Sequence, residues 1–233
     1  MTLGILGAMS EELAPLLERY SNHETFEIAA NKYHKVSLEG GSLVLSYSKI
    51  GKVHAALSAS VMILHFGCEG IIFSGVAGAL DENLKIGDLL IATKLCQHDV
   101  DITAFGHARG LIPEGRLFYE SDSRLCGHAR SVARDLGIDV KEGVVASGDQ
   151  FIADFEAKAA IAKEFGAAAV EMEGASVACV CSNFSIPFCV FRCISDAADK
   201  DAGFNFDAFL QTSAKRSASM VASLAETILK KGL

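Results

Sequence analysis

Short apolar runs and amphipathic segments alternate along this chain. Residues 2–6 form an apolar strand ending in Gly7-Ala8-Met9, and Leu13, Leu16, Leu17 and Tyr20 then recur at helical spacing. Pro15 sets the start of that helix near Glu11 or Glu12, because proline is well tolerated only near a first turn. Alternating strands near 32–38 and 42–48 form a hairpin across Glu39-Gly40-Gly41, and a helix runs from Ile50-Gly51-Lys52 to about His65. Its small residues Ala55, Ala56, Ser58 and Ala59, with Met62 and Ile63, suit close packing on a sheet.

Further strands are predicted at 71–74, leading into the turn Gly75-Val76-Ala77-Gly78, at 88–95, at 144–146, before Glu171, and at 187–194. Helices are predicted at 123–136, stopped by Gly137, at 154–164 with Asp154 as N-cap, after Glu173, and from Phe206 to the end. The stretch from His98 to about Tyr119 is irregular. No repeat, linker or low-complexity segment is visible. The expectation is one α/β domain over 1–233, a mixed central β-sheet flanked by helices.

Composition narrows the function classes. Half of the 233 residues are hydrophobic, enough for a sizeable core. The net charge is −8, and no Lys/Arg run exceeds two, so neither nucleic acid nor an anionic membrane is an expected partner. No apolar run approaches the roughly 18 residues of a membrane span, and the first residues lack the basic n-region of a signal peptide. The seven cysteines have no metal-type spacing and read as reduced core residues of a cytoplasmic protein.

The candidate chemistry is acidic. Glu12, the turn 75–78, the segment 148–152, Glu171 to Glu173 and Asp196 all fall at or just after the C-terminal end of a predicted strand, the rim where open α/β sheets bind ligands. Each has a plain structural alternative. Glu12 can be a helix-dipole partner, and one of Glu171 and Glu173 can be paired with Arg192 or a lysine. Asp196 can cap a turn with Ser195. Gly4-Ile5-Leu6-Gly7 does not fit a dinucleotide fingerprint. His98-Asp99-Val100-Asp101 has no second cluster to complete a metal site, and reads as a polar loop or subunit contact.

Gly7-Ala8-Met9-Ser10-Glu11-Glu12, Ser48-Lys49-Ile50-Gly51-Lys52-Val53, Ser74-Gly75-Val76-Ala77-Gly78, Ser147-Gly148-Asp149-Gln150-Phe151-Ile152, Val170-Glu171-Met172-Glu173 and Ser195-Asp196-Ala197-Ala198-Asp199 together resemble the 5′-methylthioadenosine/S-adenosylhomocysteine nucleosidases. The resemblance covers essentially the whole chain. It implies a nucleoside phosphorylase-like fold, a homodimer, no cofactor and no metal. The implied reaction is hydrolysis of the bond between adenine N9 and ribose C1′.

By the same resemblance Asp196 protonates adenine N7, and Glu12 is the general base on water, with its place at a helix N-terminus helping to keep it ionised. Glu173 binds the ribose hydroxyls and Met172 lies along the sugar. Phe151 stacks on adenine, and Ile152 reads the purine edge through its backbone. Val76, Ala77, Gly78 and Ser195 border the nucleoside, and Arg192 orients the water or Glu12. Met9, Ile50 and Phe206 receive the 5′ substituent, with Ile102, Phe105 and Pro113 coming from the partner subunit.

Many members carry serine where this chain has Val76. The wording around Lys49-Ile50-Gly51-Lys52-Val53-His54 and Gly148-Asp149-Gln150-Phe151 is closest to a branch that also cleaves 6-amino-6-deoxyfutalosine for menaquinone synthesis. The rival readings are a phosphorylase on the same fold and a non-catalytic nucleoside-binding dimer.

Overall fold

The computed structural model describes residues 1–199 and 202–233, the side chains of Phe204 and Asp207 excepted. Ten strands form one mixed sheet: β1 (Thr2–Gly7), β2 (Glu24–Ile28), β3 (Asn31–Leu38), β4 (Gly41–Tyr47), β5 (Gly70–Ala79), β6 (Leu89–Gln97), β7 (Tyr119–Glu120), β8 (Val140–Ser147), β9 (Ala167–Glu171) and β10 (Phe188–Asp196). The helices are α1 (Ser10–Arg19), α2 (Lys52–Leu64), α3 (Ser123–Asp135), α4 (Phe155–Phe165), α5 (Gly174–Asn183) and α6 (Ala202–Lys231). The α/β expectation therefore holds.

The sheet is not open throughout. β5 pairs with β10, β10 with β6, β6 with β8, β8 with β9, and β9 returns to β5. These five strands close a ring. From β5 the sheet continues outward as β1, β4, β3 and β2, with parallel pairing as far as β4 and antiparallel pairing beyond.

Helices cover the two faces for reasons written in their sequences. α1, α3 and α6 bury Leu13, Leu16, Leu125, Ala129, Val221 and Leu224 on one face. α2 and α5 use small side chains, Ala55, Ala59, Ala175 and Ala178, to approach the other closely. Asp122 and Asp154 accept N–H bonds at the starts of α3 and α4, caps worth about 1 kcal/mol each.

Several boundaries differ from the sequence expectation. β2 was not foreseen: it is an edge strand, and only two of its five residues are even half-buried, so its pattern is faint. β5 runs on through 75–78 as buried strand rather than turning there. α1 starts one residue early, leaving Pro15 inside the helix. β8 begins at Val140 and α6 at Ala202, each four residues before its expected start. Residues 98–118 are irregular as expected, with one short 3-10 turn at Thr103–Phe105, and the chain then rejoins the sheet as β7 at Tyr119. The seven cysteines are all free.

Candidate active site

The ends of β1, β5, β8, β9 and β10 surround a cavity of about 490 Å³. Glu12, Glu173 and Asp196 line it, and all three are buried. Of the other candidate residues in this chain, Met9, Ile50, Val76, Ala77, Gly78, Phe151, Ile152, Met172, Ser195 and Phe206 line it as well. Gln150 also lines it and had no role assigned, although it stands inside a quoted motif.

Glu12 sits in the first turn of α1 and turns back to bind the backbone. Its Oε2 accepts the N–H groups of Ala8 (2.6 Å) and Met9 (3.0 Å), and Oε1 accepts that of Val76 (3.0 Å). Burial pushes its carboxyl above the ordinary range, while the Arg192 charge and the three N–H groups pull it down. Burial thus opposes the help that the helix N-terminus is expected to give in keeping it ionised.

Glu173 precedes α5 and accepts the Gly51 N–H at 2.7 Å, which ties it to the start of α2. Burial, followed by the neighbouring Glu171 charge, raises its carboxyl to about 8, against the Gly51 N–H and Arg192. Asp196 ends β10, where Oδ2 accepts the Ser195 hydroxyl and Oδ1 the Ala198 N–H, both at 2.8 Å. Burial pushes it up as well, against those two donors.

In all three acids burial is the largest influence and pushes the carboxyl above its ordinary range. Glycines make room for two of them. A Cβ on Gly75 would lie 2.6 Å from Glu12 Oε1, and one on Gly78 would lie 2.7 Å from Asp196 Oδ1.

Glu171 is a structural carboxylate. It receives the Arg192 guanidinium, the Ser147 hydroxyl and the N–H groups of Glu173 and Gly174. Arg192, 1% exposed, stacks on Phe73 and also donates to the Phe191 carbonyl. It does not line the cavity, so the expected contact with water or Glu12 is replaced by a charge effect from behind the wall. The strand pattern marked Arg192 as unusual but carried no sign of which acid it faces.

Phe151 and Phe206 meet edge to face at the mouth, their ring centres 5.8 Å apart, with Phe151 half exposed. Ile102, Phe105 and Pro113 lie away from this chain's cavity, and Phe105 is 81% exposed. His98, in the turn after β6, is buried with its ring against Gly148. Among the described residues, no three His, Cys, Asp or Glu side chains are grouped to hold a metal ion.

The chain matches the family described as the phosphorylase superfamily over residues 2–226. It belongs to that superfamily. Aminodeoxyfutalosine nucleosidase of Helicobacter pylori is 49% identical over 97% of this chain and 99% of its own length. The 5′-methylthioadenosine/S-adenosylhomocysteine nucleosidase of Actinobacillus succinogenes is 40% identical over 95% and 96%. The crystal structure of the Helicobacter pylori nucleosidase with butyl-thio-DADMe-Immucillin-A superposes with a TM-score of 0.96 at 49% identity, covering 97% of this chain and 98% of that one. The relatives are nucleosidases over nearly their whole length, and the chain is an N-glycosyl hydrolase of this group.

Proposed function

We propose that the chain hydrolyses the N-glycosidic bond of 5′-methylthioadenosine, S-adenosylhomocysteine and 6-amino-6-deoxyfutalosine, releasing adenine. The resemblance of its motifs and the activities for which its relatives are named support this substrate set. One observation carries the choice of water over phosphate. The N–H groups of Ala8, Met9 and Val76, which could cradle a phosphate, are all spent on Glu12, whose carboxylate repels an anion.

In this reading Asp196, whose protonated form burial favours, donates to adenine N7 and accepts from the 6-amino group. A 6-oxo purine offers an acceptor where that donor is needed. Glu12 takes the proton of the attacking water, and burial gives it the basicity to do so. Glu173 binds the ribose hydroxyls, and in its ionised form its charge stabilises the sugar cation as the bond breaks. Phe151 stacks on the base, Ile152 reads its edge, and Met172 lies along the ribose. Met9, Ile50 and Phe206 hold the 5′ group.

The working unit is a cytoplasmic homodimer of one nucleosidase domain each. The exposed apolar residues Val53, Leu57 and Leu64 of α2 form the surface that suits a second copy. The partner contributes Ile102, Phe105 and Pro113 to the 5′ slot.

The test is kcat/KM for the three nucleosides in phosphate-free buffer. Turnover giving free adenine and a free 5′-modified ribose supports the proposal. A requirement for phosphate with formation of a ribose 1-phosphate overturns it in favour of phosphorolysis, and no turnover of any of the three removes the substrate assignment.

A further inference from the structure

Behind the cavity wall, side chains from three elements close a polar ring that no step of the proposed reaction uses. Lys52, the first residue of α2, places Nζ 2.6 Å from Asp99 Oδ1 and 3.2 Å from Gln97 Oε1 at the end of β6. The other Asp99 oxygen accepts the Asp149 N–H at 2.9 Å. Asp149 Oδ1 accepts the Lys52 N–H at 2.8 Å, which completes the ring.

The Lys52 and Asp99 side chains are each 16% exposed, so this is not a solvated surface pair of the kind that contributes little. Burial works against ionisation of Asp99, yet Lys52 and the Asp149 N–H hold its carboxyl below the usual range.

None of Lys52, Asp99 and Asp149 lines the cavity, but residues close to Lys52 and Asp149 in the chain do. On one side, Ile50 is part of the wall and Gly51 supplies the N–H that holds Glu173. On the other, Gln150, Phe151 and Ile152 form the wall next to Asp149. The ring therefore links the wall that holds the Glu173 carboxylate to the wall assigned to the base.

We propose that Asp99 is a positioning residue for the nucleoside site, joining the 50–52 and 149–152 walls through Lys52 and Asp149. This rests on the reading of the cavity as a nucleoside site. A carboxylate is needed because Asp99 faces two donors, one of them charged. An asparagine has one acceptor oxygen, and its NH2 group must then face either the Lys52 ammonium or the Asp149 N–H.

The experiment measures KM and kcat for 5′-methylthioadenosine, in phosphate-free buffer, for wild type, Asp99→Asn, Lys52→Met, the double variant and Lys52→Arg. Loss of registration between the walls raises KM roughly tenfold in each disruptive single variant, with a smaller change in kcat. The double variant is no worse than the poorer single, because either change opens the same ring. Lys52→Arg, which keeps the charge and the donors, restores much of the affinity.

A role confined to folding lowers the amount of active enzyme and leaves KM alone. Lys52→Met removes the ammonium that Asp99 faces, so it tests the Asp99 link even where Asp99→Asn does not fold, whereas Asp149→Ala keeps the Asp149 N–H and leaves both Asp99 bonds in place. A KM within about twofold of wild type in folded Asp99→Asn or in Lys52→Met overturns the proposal, as do additive effects of the two. Failure of the wild type to turn over any of the three nucleosides strikes the nucleosidase reading instead.

Discussion

Gly51 donates its N–H to Glu173 across 2.7 Å, so the start of α2 sets the orientation of a carboxylate 122 positions later in the chain. This bond is also one of the few influences lowering the Glu173 pKa, against burial and the Glu171 charge. The sugar-binding acid of the proposed reaction is therefore held by a backbone group, not by a cation.

A pH dependence of stability follows. In the unfolded chain Glu173 ionises near 4.5, whereas in the folded protein it does so near 8. Between those values the folded state keeps a proton that the unfolded state has lost, so this group's contribution is full below 4.5 and is lost as pH rises through 8. Glu173→Gln removes that dependence. The Tm of the variant minus that of wild type is expected to grow steadily from pH 4.5 to 8 and then level off. A difference that stays flat across this range contradicts the burial argument.

Glu12→Gln keeps the size of the side chain and an acceptor for the backbone, but cannot take a proton. Activity is expected to fall by about 10²–10⁴, the usual worth of a positioned general base. Circular dichroism and Tm report whether the fold is retained.

Asp196→Asn can still bond to Ser195 and Ala198 but has no acidic proton for a leaving base. A loss of similar size is expected in kcat, with KM for methylthioadenosine changing much less. An active Asp196→Asn enzyme rules out the assigned proton donor.

Gly75→Ala drives a methyl group to within 2.6 Å of Glu12 Oε1. Overpacking of this kind costs about 1–3 kcal/mol, and here it also displaces the proposed base. Activity is expected to fall more than Tm does, as measured by paired kinetics and thermal melts.

Arg192→Met leaves Glu171 buried without its guanidinium. Removing one partner of a buried pair costs about 3–5 kcal/mol, measurable as a lower urea midpoint. Glu171 and Arg192 show where sequence reading reaches its limit. Two acids in an apolar segment and a lone arginine in a buried strand stood out because unpaired charge is costly there. Which acid meets the arginine depends on how β9 and β10 are placed in the ring, and no local pattern encodes that.

The same division holds elsewhere. The strand-end positions of Glu12, Glu173 and Asp196 were legible because apolar runs end beside them. The edge strand β2 and the Lys52–Asp99–Asp149 ring were not: the first buries too little to leave a pattern, and the second joins residues 97 positions apart. The passage of β5 straight through 75–78 was hidden by glycines, which signal turns unless something must pass close by. Here the close neighbours are the carboxylates of Glu12 and Asp196.

The closure of β5 on β10 has a consequence for the order in which the protein is made. β10 is the last strand, and it pairs residues 188–196 with residues 71–78. Pairings between such distant segments form slowly, because a long loop must close first. Until β10 docks, a nascent chain lacks Asp196 and Arg192 and exposes unpaired edges of β5 and β6. Completion of the acid set and removal of the sticky edges are thus a single late event. A chain stalled before β10 is both inert and aggregation-prone.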